Sequence, residues 1–77
     1  MSWVPAHIRR EKMKQFVEGP GLVVAVEVSV VYAPEEPDEP LLEADTLRFL
    51  DDVTQHAQAG DVAWLEQVGE VYVRQSA

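Results

Sequence analysis

Leu22-Val23-Val24-Ala25-Val26-Glu27-Val28-Ser29-Val30-Val31-Tyr32 is the stretch whose reading decides the fold. Leu22, Val24, Val26, Val28, Val30 and Tyr32 alternate onto one face of an extended chain. Val23, Ala25, Glu27, Ser29 and Val31 fall on the other. β-branched residues dominate, as a pleated and half-buried surface prefers. Glu27 and Ser29 mark the second face as partly wet, so the strand is covered on one side only.

Downstream, the period changes. Leu42, Thr46, Phe49, Leu50, Val53 and Ala57 recur at three- and four-residue spacing, which predicts an amphipathic helix over 41–59. Pro40 suits its first position, and Glu39, Glu43 and Asp45 suit the positive end of its dipole. Gly60 is a left-handed stop, and Asp61 caps a short second helix over 62–68 that ends at Gly69. Residues 70–74 then alternate as a short strand. Helices on one face of a small sheet make an α+β domain. Trp64, Phe49 and Leu50 are expected to supply most of its helix-side core.

Upstream, Gly19-Pro20-Gly21 is a chain reversal. Two readings of the residues before it stand. One is a short helix from Pro5, with Ala6, Met13, Phe16 and Val17 on a broad face. The other is a further strand near 14–18. Residues 1–12 read as a basic extension, disordered or briefly helical, ahead of a domain over 13–77. Met13 makes an alternative start conceivable.

The chain has 77 residues, six basic and fourteen acidic, for a net charge of −8. Residues 1–18 hold four basic residues and two acids; the remainder holds two against twelve. A chain of this length buries only about 60% of its unfolded surface. There is no cysteine, which excludes disulfides, thiolate metal sites and a cysteine nucleophile, and favours a cytoplasmic setting. No apolar run predicts a signal sequence or a membrane span. The acidic balance argues against direct nucleic-acid binding.

Chemistry finds little support. Ser29 lacks the glycines of a nucleophile elbow, and Ser2 and Ser76 are terminal. Thr46 and Thr54 complete the hydroxyls. His7 and His56 are the only imidazoles, and His56 at the margin of the apolar stripe reads as structural. Asp51 and Asp52 are adjacent and point about 100° apart on a helix. The acidic run lacks calcium-loop spacing, and its prolines at 34, 37 and 40 keep it an extended, solvated loop. No phosphate-binding glycine motif is present. The expectation is a non-enzymatic protein with no cofactor or metal.

The remaining signal is the strand itself. Eleven residues at about 3.4 Å each span roughly 35 Å, about twice the length of the last strand. An unpaired edge of that length invites a partner. The expected partner is a second copy, giving a homodimer by strand-edge pairing, or else another protein. The interface residues are then Val23, Ala25, Glu27, Ser29 and Val31, with Tyr72 and Arg74. The alternative is an acidic regulator or nucleic-acid mimic that binds a basic partner through Glu35, Glu36, Asp38, Glu39, Glu43 and Asp45.

Overall fold

The computed structural model of the chain describes residues 9–75. Ser2, Pro5, Ala6, His7 and Ser76 lie outside them. The structure opens with a hairpin of two long strands, β1 (Arg9–Gly19) and β2 (Leu22–Ala33). Only Pro20 and Gly21 separate them, and Gly21 has a φ of 69°. Proline followed by a positive-φ glycine is the type II combination, which a side chain at Gly21 would strain. The two strands pair without interruption from Gly19↔Leu22 to Arg9↔Tyr32.

The chain continues as β3 (Glu36–Leu41), α1 (Ala44–Gln58), α2 (Val62–Val68) and β4 (Glu70–Val73). β2 is the axis of the sheet, and every pairing is antiparallel. β1 takes one of its edges. The other edge is shared: β4 pairs with Leu22–Ala25, and β3 pairs with Val31–Ala33 after a register shift at Tyr32/Ala33.

Both helices lie on the face of Leu22, Val24, Val26, Val28 and Val30, all buried. The α+β architecture is therefore the expected one, with α2 on its expected residues. Gly60, at φ 70°, stops the first helix, and Asp61 caps the second by accepting from Trp64 N–H at 3.3 Å. Among the described residues, no helix is long and apolar enough to cross a membrane.

Several expectations are corrected. Residues 9–12 are not an extension but the first third of β1. Arg9 stands 4.6 Å from the centroid of the Tyr32 ring, and Met13 sits mid-strand opposite Val28. The strand near 14–18 is the end of this longer one. The acidic stretch is not a loop, since β3 occupies it with every side chain exposed. Pro40 lies in β3 opposite Tyr32, and α1 starts only after Glu43. The free edge of β2 is shorter than its full length and runs over Val26–Val30, between β4 and β3.

The helix-side core also differs. Val53, Ala57 and Leu65 are fully buried, while Phe49, Leu50 and Trp64 pack around them only partly buried. The cause is the closeness of α1 to the hairpin. A Cβ on Gly19 would lie 2.1 Å from the Ala57 carbonyl oxygen, so small residues must form that contact. The large side chains splay to the margin.

Candidate association surface

Among the described residues, nothing covers the second face of the sheet. β1 contributes Arg10, Lys12, Lys14, Phe16 and Glu18 to it, and β2 contributes Val23, Ala25, Glu27, Ser29 and Val31. Across the hairpin Phe16 stands opposite Ala25, and across β4 Tyr72 stands opposite Val23. These four side chains form an apolar patch near the turn. Phe16 is 63% exposed and Tyr72 55%, whereas Ala25 between the flanking strands is buried. At the far end Leu41, 47% exposed, stands opposite Val31. Exposed aromatic groups clustered on one flat face differ from the scattered apolar residues of ordinary surfaces.

Charges rim the patch. Glu70 flanks Ala25, and its carboxylate accepts from the Tyr72 hydroxyl at 2.6 Å. That hydrogen bond, reinforced by the negative charge of Glu70, holds the Tyr72 phenol above its ordinary pKa. Lys12 lies 3.6 Å from Glu27, and Arg10 pairs with Glu43. Lys14 makes no ion pair among the described residues.

The expected interface residues Val23, Ala25, Glu27, Ser29, Val31 and Tyr72 thus share one face. Arg74 follows β4, and its N–H reaches the Gly21 carbonyl at 2.8 Å. The sequence reading missed Phe16 and Leu41. Phe16 shares a broad face with Met13 and Val17 only in the helical reading of this segment; in the strand reading over 14–18 it lies opposite them. Its strand signal is the alternation of Met13, Gln15 and Val17 with Lys12, Lys14 and Phe16.

The acidic residues are distributed rather than gathered. Glu35 is in the turn before β3, and Glu36, Asp38 and Glu39 are in β3. Glu43 is held by Arg10, and Asp45 lies 3.3 Å from Arg48. Within β3 the acids crowd: a hydrogen bond with Glu39, with slight burial and the charge of Glu35, raises the Glu36 pKa above its ordinary value.

His56 has a definite place. Its ring stacks on Trp64 at 3.7 Å between centroids and 6° between planes. Its Nδ1 lies 3.1 Å from Asp61 Oδ2, while Asp61 Oδ1 caps α2. Three side chains therefore pin the elbow between the helices. The Thr54 hydroxyl donates back to the Leu50 carbonyl at 2.8 Å. Among the described residues, no three His, Asp or Glu side chains are grouped to hold a metal ion. Comparison with known family models, curated proteins and solved structures finds no match for the chain.

Proposed function

We propose that this protein is a non-enzymatic association module that works through the open face of its sheet, with a second copy as the first partner. The observation behind the reading is the one-sided sheet, which exposes Phe16 and Tyr72 beside Val23 and Ala25. The patch suits itself. It is apolar at the centre, with Lys14 and Glu18 flanking Phe16 along β1 and Glu70 beside Ala25 on β4. Two such faces stacked with opposed strand directions bring unlike charges together at the rim. This replaces strand-edge pairing of β2, whose edges are largely taken.

Light scattering after size exclusion, over a concentration series at low and high salt, tests the proposal. A dimer that forms with concentration and persists in high salt supports an apolar contact. A monomer at every concentration removes it.

The acidic reading keeps one supporting observation, the crowded carboxylates of β3. Under it a basic probe such as polylysine binds at low salt and is released steeply as salt rises. Neutralising Glu36, Asp38 and Glu39 abolishes that binding.

A further inference from the structure

Alternation decides which backbone groups of β1 are free. Gly19 pairs with Leu22 across the two-residue turn, so odd-numbered residues of β1 direct their N–H and C=O groups at β2. Even-numbered residues direct theirs outward. Two contacts agree with this phase. The Glu18 carbonyl accepts from Gln58 Nε2 at 3.4 Å, and Gly21, outward on the β4 side, accepts from Arg74. The outward groups of Arg10, Lys12, Lys14 and Phe16 have no partner among the described residues. They form an open edge of about 20 Å.

The sheet's other edges are poorer templates. Pro40 faces outward on β3 and has no N–H to offer. β4 has only four residues. The open edge of β1 is long and complete in donors, and its outward residues carry Arg10, Lys12 and Lys14 on the open face, where the exposed pairs of Arg10 with Glu43 and of Lys12 with Glu27 leave Lys14 unpaired among the described residues.

Those charges decide what can pair there. A second β1 related by a two-fold axis must match even residues with even residues. An axis at Lys12 sets Lys12 against Lys12 and Arg10 against Lys14. An axis at Met13 sets Lys12 against Lys14. An axis at Lys14 sets Lys14 against itself and brings Arg10 to Glu18, whose carbonyl Gln58 already covers. Later registers need Glu18 as well. Like charges directly opposite destabilise a strand pair, so every free register repels a copy. An edge that rejects itself in this way accepts a strand of opposite charge.

We infer that the outer edge of β1 is a strand-addition site for an acidic extended peptide from another protein, with carboxylates opposite Arg10, Lys12 and Lys14. In an antiparallel addition, the peptide residues that hydrogen-bond to the edge are those whose side chains share the open face with the basic residues. The carboxylate-bearing residues are thus also the ones whose N–H groups bond to β1. This site shares Lys14 with the rim of the open face, but its backbone edge, Arg10 and Lys12 lie outside the apolar patch.

The test uses the full chain and a fluorescent heptapeptide, Thr-Glu-Val-Glu-Val-Glu-Thr, with a lysine-for-glutamate counterpart. Fluorescence anisotropy is expected to show binding of the acidic peptide only. Lys12→Gln combined with Lys14→Gln weakens it at least about tenfold. Backbone N-methylation of the peptide's glutamates abolishes binding, whereas N-methylation of its valines leaves it. Hydrogen exchange gains protection at the amides of Lys12, Lys14 and Phe16. Failure of the acidic peptide to bind overturns the proposal. So does equal binding of the two N-methylated forms, which is mere ionic adsorption. Protection at Glu27 and Ser29 instead would place the peptide between β3 and β4 and equally overturn it.

Discussion

At the residue scale, two glycines and one tyrosine carry tests of the geometry. Gly19 and Gly60 look alike in sequence but do different work. Gly19 permits a backbone approach, and Gly60 supplies a positive φ. Gly19→Ala must push α1 off the hairpin and is expected to cost about 1–3 kcal/mol. Gly60→Ala meets nothing within 4 Å and is expected to cost only the left-handed strain, about 1–2 kcal/mol. Urea titration separates the two when combined with near-ultraviolet circular dichroism. Only the Gly19 variant should disturb the packing signal. Tyr72 reports electrostatics. Its pKa is raised by Glu70, so the fold gains from this phenol below the ordinary tyrosine range near about 10. That gain is lost as pH rises through the raised value. In a Tyr32→Phe background, phenolate absorbance should titrate above the ordinary value, and Glu70→Gln should bring it back. An unchanged midpoint in Glu70→Gln would contradict the contact.

At the element scale, the strands differ in how much of them can be read from the chain. β2 was legible because its alternation runs unbroken through residues that suit nothing else. α1 and α2 were legible through their stripe and stops, although α1 begins three residues later than its acidic approach suggests. β1 was hidden. Its inner face is apolar only at Met13 and Val17, and Arg9 and Glu11 continue that face in solvent. β3 was hidden more deeply, since prolines and acids argue against a strand. It exists because it sits on an edge, where Pro40 faces outward and its missing N–H leaves no gap in the ladder. The open face was half legible: the β2 residues and Tyr72 were assigned to it, but Phe16 needed the hairpin register. A chain starting at Met13 tests β1 directly. Losing Arg9–Lys12 strips the ladder bonds of Val30 and Tyr32, at a cost on the order of 2–4 kcal/mol. A urea midpoint equal to that of the full chain would restore the extension reading. At the elbow, Asp61→Ala loses both the α2 cap and the His56 contact, and is expected to cost about 1–2 kcal/mol.

At the scale of the whole molecule, the layers explain the division of labour. Among the described residues, two helices cover one face of four strands and none covers the other. The core is a single layer of valines under Val53, Ala57 and Leu65, so it has little redundancy. Leu65→Ala is expected to cost about 2–5 kcal/mol, measured by chemical denaturation. The charge of −8 keeps copies apart at long range, so self-association must come from a local apolar contact. The patch of Phe16, Val23, Ala25 and Tyr72 is where that contact is expected. Sedimentation equilibrium of the wild type against a Phe16→Ser/Tyr72→Ser variant tests this most directly. Both side chains are exposed, so the variant should keep its fold by circular dichroism. The account predicts a wild-type dimer and a variant that stays monomeric over the same concentrations. A wild type that is monomeric throughout, or a dimer that survives both substitutions, would contradict it.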